Sequence, residues 1–178
     1  MLRHIILTSI VLAGTASAEP YRTSSRFGLG LELGAPSGLS GKYFTGGQFA
    51  VQGGVGVIES WGDDGLHIHA EGVWHPALLH RGRTVDIPLH LGIGGRFLQH
   101  DWGRYDYCYD DRGRTYRCSD THVGIRAPVG ISFLFKRTPM DLFIELALVV
   151  DVLHANNDYM YDHDHAGIDG AFGGRFYF

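Results

Sequence analysis

The sequence predicts an all-β fold, a single eight-stranded antiparallel up-and-down transmembrane β-barrel. Three observations carry the prediction. Period-2 alternation recurs in eight segments after residue 20, while amphipathic helical periodicity is hard to find. In each segment one stripe is apolar and almost free of charge, and the other is small or polar. The connections sort into short and long by side, as in membrane barrels, with the short first outer turn, 35–38, a partial exception.

The first 18 residues, MLRHIILTSIVLAGTASA, have the three-part plan of a secretory signal peptide. Arg3 precedes an apolar run from Ile5 to Ala13, and Ala16-Ser17-Ala18 forms a small-residue cleavage site before Glu19-Pro20. The apolar run is too short to span a bilayer as a helix. The expected mature domain is 19–178. Cleavage removes one cation and no acid from a chain of net charge −4, leaving −5.

The eight stripes follow in order. Phe27, Leu29, Leu31 and Leu33 alternate with Gly28, Gly30, Glu32 and Gly34. Leu39, Gly41 and Tyr43 alternate with Ser40 and Lys42, and Phe49, Val51, Val55 and Val57 make the third stripe. Leu66, Ile68, Ala70, Gly72 and Trp74 lie against His67, His69, Glu71 and His75. The fifth runs from Val85 to Phe97 against Asp86, His90 and Arg96, and the sixth from Val123 to Phe135 against Arg126 and Ser132. The seventh runs from Leu142 to Val152 against Asp141, Glu145 and Asp151. The last runs from Ile168 to Phe178 against Asp169, Arg175 and Tyr177. Most segments have the length needed to cross a membrane at a tilt. An even number of strands lets the first close on the last and removes exposed edges.

The polar stripe decides which way the barrel faces. A soluble barrel with its apolar stripe inside would be a lipocalin-like ligand carrier. Here the apolar stripe is so nearly free of charge that its exposure to water would cause aggregation, so lipid is expected outside. The predicted interior is a polar network of Glu32, Lys42, His67, His69, Glu71, Asp86, His90, Arg96, Arg126, Glu145, Asp151 and Arg175. Such an interior must pair its charges. Glu32 and Lys42 flank the first turn and are expected to pair, and His90 is expected near Glu71 or His69. A hydrogen-bonded plug is the favoured reading, ahead of a luminal metal site or a pH-sensitive constriction.

With the N-terminus on the periplasmic side, Phe27, Tyr43, Phe49, Trp74, Phe133, Phe135, Phe176 and Phe178 gather at one interface as an aromatic girdle. The periplasmic connections are then 45–48, 76–84 and 136–139. The outer ones are 35–38, 59–65, 99–121 and 154–166, the last two being the longest.

The chain ends in Gly-Gly-Arg-Phe-Tyr-Phe. It resembles the C-terminal strand of bacterial outer-membrane barrels, whose terminal phenylalanine is the signal read by the barrel-assembly machinery; Phe178 holds that position. In size the chain resembles the OmpA/OmpX-like class of eight-stranded barrels. The segments FGLGLELGAPSGLSGKY (27–43), VDIPLHLGIGGRF (85–97) and GIRAPVGISFLFKRTPMDLFIEL (124–146) are similar to a family of small outer-membrane barrels that includes spirochaete members. Some of that family are implicated in binding host factors at the cell surface, which the resemblance does not carry to any residue of the loops here.

Cys108 and Cys118 sit in the longest outer loop, with Asp110-Asp111-Arg112-Gly113 as a turn signal between them. A hairpin crossing there would join them as a disulfide in an oxidising compartment. The second long loop offers Asp162, His163, Asp164 and His165, more often a solvated cluster than a cation site. Serines such as Ser60, Ser119 and Ser132 stand in no nucleophile motif, and no catalytic or metal-ligating residue is assigned. Nucleic acid is an unlikely partner for a chain with net charge −4 and no long basic run, and no cofactor is expected.

The reading of function is therefore a non-enzymatic barrel in the cell outer membrane, held by outer-membrane lipid and assembled by the barrel-assembly machinery. Its role is structural or one of surface interaction, with an extracellular protein ligand contacted through loops 99–121 and 154–166. The alternatives are a narrow solute or ion channel, a lipid A-modifying or proteolytic barrel enzyme, and the soluble carrier. If Cys108 and Cys118 are bridged, maleimide labels neither without reductant and both after reduction. Full labelling of both without reductant would refute the bridge.

Overall fold

The computed structural model describes residues 26–60, 63–101, 107–109, 115–117, 119–156 and 166–178. The expected signal segment 1–18, Cys118 and most of the two expected long loops lie outside them. Ten strands are present: β1 (Phe27–Gly34), β2 (Ser37–Gly46), β3 (Phe49–Ser60), β4 (Asp63–Arg81), β5 (Val85–Asp101), β6 (Tyr107–Tyr109), β7 (Thr115–Arg117), β8 (Ser119–Phe135), β9 (Met140–Asn156) and β10 (Ala166–Tyr177). Eight of them close into an antiparallel up-and-down barrel in the order β1-β10-β9-β8-β5-β4-β3-β2. β6 and β7 form a separate two-stranded hairpin inside the longest connection. Its register sets Cys108 opposite Tyr116.

The registers step round the wall in one direction. From Gly28 the paired residues run Lys42, Gln52, Glu71, Gly94, Arg126, Val149 and Gly167. Gly167 lies four residues before Ala171, the partner of Gly34, so the circuit closes ten residues along β1 from its start. Eight strands with a stagger of ten imply a strand tilt of about 40° and an interior just wide enough for side chains to fill.

Strand alternation then sorts the side chains. The predicted apolar stripe points outward on every barrel strand, from Leu29, Leu31 and Leu33 on β1 to Phe172 and Phe176 on β10. Glu32, Lys42, Gln52, His67, His69, Glu71, His90, Arg126, Glu145 and Arg175 are buried inside. Inward glycines leave room for side chains reaching across. A Cβ on Gly28 would meet the Tyr177 ring at 2.7 Å, and one on Gly130 would meet His90 Nε2 at 2.6 Å.

The predicted connection 76–84 is shorter than the alternation implied, because β4 continues to Arg81. Pro76 lacks an N–H, yet it falls where the β4–β5 register shifts, between Trp74 and Ala77. A proline is tolerated at such a break in the ladder. The ends of the barrel differ. One carries the turns at 47–48, 82–84 and 136–139; the other carries the two longest connections and also the short ones at 35–36 and 61–62, the expected loop 59–65 being cut to two residues because Ser60 and Asp63 pair. Phe27, Tyr43, Phe49, Trp74, Phe176 and Phe178 are exposed on the outer wall near the turn end, and Phe133 and Phe135 are half-buried there.

The seam between β1 and β10 depends on small residues. A Cβ on Gly30 would strike the carbonyl oxygen of Gly174, whereas one on outward-facing Gly41 would find nothing closer than 3.9 Å. Gly30→Val should sharply reduce the yield of folded barrel, and Gly41→Ala should leave it near wild type. The folded fraction on refolding into detergent, read by circular dichroism, checks this.

Candidate functional site

The distinguishing site is the interior, where polar side chains from all eight barrel strands meet, charged on every strand but β3, which supplies Gln52. Arg126 on β8 holds the middle tier. Its Nη1 donates to Glu71 Oε1 on β4, its Nη2 to Glu145 Oε1 on β9 at 2.8 Å, and its Nε lies 3.8 Å from Asp169 Oδ2 on β10. A planar guanidinium suits this because its donors leave in fixed, diverging directions. The second oxygen of Glu145 accepts from Gln52 Nε2 on β3 at 2.7 Å and lies 3.1 Å from His90 Nε2 on β5.

His69 completes the tier. Its Nδ1 is 2.7 Å from Glu71 Oε1 and its Nε2 is 3.1 Å from Glu32 Oε1. A ring held between two carboxylate oxygens matches them fully when both nitrogens donate, as in an imidazolium. Glu32 on β1 thereby joins a network that reaches six other strands.

Toward the loop end, Arg96 on β5 grips Asp151 on β9 with two hydrogen bonds, Nε to Oδ1 at 3.0 Å and Nη2 to Oδ2 at 2.8 Å. Its Nη1 reaches Asp169 Oδ2 at 3.4 Å, and His122 Nδ1 lies 3.3 Å from Asp151 Oδ2. His67 is fully buried beside His69, and neither of its ring nitrogens has a hydrogen-bond partner among the described residues.

Toward the turn end, Lys42 Nζ donates to His75 Nε2 at 3.0 Å, and His75 Nδ1 donates to the Gln48 carbonyl at 2.9 Å. That pattern selects a neutral imidazole with its proton on Nδ1. Arg175 on β10 crosses the seam: its Nε donates to Ser40 Oγ on β2 at 3.1 Å, and its Nη1 is 3.6 Å from Asp141 Oδ2 on β9. The guanidinium carbon stands 3.9 Å from the Phe143 ring centroid, a cation–π stack. Tyr177 donates to Asp141 Oδ2 at 2.9 Å, and its ring packs against Phe44.

Eleven of the twelve predicted network residues are inside. Asp86 stands instead at the turn-end rim, half-buried, with Lys136 Nζ 3.0 Å away. It sits next to the 82–84 turn, so its side chain leaves the barrel at the mouth. Two expected pairings are replaced. Lys42 lies across from Gly28 and Glu32 across from Gly38, so these side chains stand on different rungs and find His75 and His69 instead. His90 meets Glu145 and not Glu71, because the β4–β5 register places Gly94 opposite Glu71. Ser40, His122, Asp141, Asp169 and Tyr177 also belong to the interior; most lie on the polar stripes, so parity alone could have found them.

The arrangement is one of charge satisfaction. Buried Ser132 makes no hydrogen bond to a histidine, so it lacks the base that a nucleophilic serine needs. Among the described residues, no group of three or more His, Cys, Asp or Glu is placed to hold a metal ion. No family model, curated protein or solved structure matches the chain.

Arg126→Met would leave Glu71 and Glu145 buried without their shared counter-charge. It should cost about 3–5 kcal/mol. Lys136→Gln at the exposed rim should cost less than about 1 kcal/mol. Urea midpoints of the detergent-folded barrel test the contrast, and equal midpoints would show that the interior pairs add nothing.

Proposed function

We propose that this chain is a non-enzymatic barrel of a Gram-negative-type outer membrane, exported by residues 1–18. Its role is structural or one of surface interaction through loops 99–121 and 154–166. The observation that carries this reading is its reversed polarity. Among the described residues, 30 large apolar side chains are exposed, while 16 polar or charged residues are buried. In water such a wall would be an aggregation surface. Surrounded by hydrocarbon it is the stable arrangement, since the strands satisfy one another's backbone groups and leave no edge.

The same polarity weighs against a soluble lipocalin-like carrier, which would need an apolar pocket. The ion-paired interior weighs against a conducting channel, and the isolation of Ser132 against a serine hydrolase. The likeness of Gly-Gly-Arg-Phe-Tyr-Phe to a strand read by the barrel-assembly machinery, and that of three further segments to small outer-membrane barrels, including spirochaete members, support the same compartment. The Cys108–Cys118 bridge rests on the sequence and on the labelling test above, since the β6–β7 register sets Cys108 opposite Tyr116.

The protein should appear in the outer-membrane fraction and migrate differently on SDS gels when boiled and unboiled. A soluble protein with no shift would overturn the reading. Leu146→Arg, on the outer wall, should abolish the unboiled folded band, and Ser132→Asn inside should reduce it less. Purified barrel in planar bilayers should give no steady conductance above the lipid baseline.

A further inference from the structure

The net charge of −4 conceals a separation of charge along the barrel. The loop-end segments 59–65, 99–121 and 154–166, connections together with the strand ends that flank them, contain 11 acidic residues and 4 arginines. The turn-end rim is the reverse. Arg26, Arg81, Arg83, Lys136 and Arg137 lie there; among the described residues the acids at this level are Asp86, partly exposed, and Asp141, fully buried inside against Arg175 and Tyr177. Three of these cations, Arg83, Lys136 and Arg137, belong to two adjacent turns, and Arg81 ends the strand that leads into the first. Lys136 N donates to the Thr84 carbonyl at 2.9 Å, joining the 82–84 turn to the 136–139 turn. Asp86 lies across from Arg81 in the β4–β5 ladder and takes the Lys136 ammonium at 3.0 Å. Arg83 and Arg137 are exposed beside this pair.

The patch is also continuous with an apolar surface. Leu79 is 59% exposed close to the 82–84 turn, and Trp74 and Phe135 of the aromatic band lie further along the same strands. A ligand that suits both parts has an anionic group on the turns and a hydrocarbon part against the wall. A soluble acidic protein would use the cations and leave the apolar ledge uncovered.

We propose that the rim formed by the 82–84 and 136–139 turns binds the headgroup of an anionic phospholipid, its phosphate between Arg83 and Arg137 and its acyl chains against Leu79. Basic residues at a membrane surface attract anionic lipid in this way, and the attraction falls off within a Debye length. The surface gives the barrel a preferred orientation, with its turn end in the leaflet that carries anionic phospholipid. This inference rests on the membrane reading above.

Trp74, on the outer wall, reports on both. The full chain carrying Trp61→Phe and Trp102→Phe keeps it as the sole tryptophan. That protein is reconstituted in vesicles containing phosphatidylcholine or phosphatidylglycerol with brominated acyl chains, and quenching is measured. Phosphatidylglycerol should associate about five-fold more strongly than phosphatidylcholine, and Arg83→Gln/Arg137→Gln should bring the ratio below about two-fold. Equal quenching by both lipids overturns this inference and leaves the membrane reading standing. No quenching by either overturns the membrane reading itself. A five-fold preference that survives the double substitution overturns the assignment to these turns.

Discussion

A closed eight-stranded wall encloses a space that side chains must fill, and any charge placed there has to find its opposite across the lumen. That constraint organises the rest of this structure. Arg126, Arg96, Arg175 and Lys42 are each held by groups from other strands, so the interior works as cross-bracing between rungs that backbone pairing alone would join only to their neighbours. Removing water from these groups is costly. The cost is offset because most acceptors and donors are shared: Glu71 serves both Arg126 and His69, and Glu145 serves Arg126, Gln52 and His90.

The outer wall is the complement of that arrangement. With the charges turned in, alternation leaves leucine, valine, isoleucine and phenylalanine turned out, and no strand needs a helix or second sheet to cover it. On the membrane reading proposed above, an apolar solvent takes the place of the second layer that a soluble sheet would require.

Much of this was legible in the sequence because a strand has an exact period of two. Parity alone places Glu32, His69, Glu71, Arg126, Glu145 and Arg175 on one face and Leu29, Val51, Ile68, Ile125 and Leu146 on the other. Partner choice was not legible, because it depends on register, and each local irregularity moves it. The shift beside Pro76 extends β4 past the predicted turn, and the stagger of the ladders carries His90 to Glu145. Asp86 lies on the correct stripe but too close to a turn to be enclosed. Asp141 and Asp169 lie on the polar stripe too, yet their importance shows only when Tyr177, Arg175 and Arg96 are seen to converge on them.

The side chains that fasten the seam both come from β10. Arg175 passes over the glycine face of β1 to reach Ser40 on the second strand, and Tyr177 occupies the room that Gly28 leaves. A breach between β1 and β10 would break the backbone ladder and the Arg175–Ser40 bond together and draw the Tyr177 ring away from Gly28. The barrel is closed by a latch as well as by a ladder, so the seam parts as one step and does not fray pair by pair.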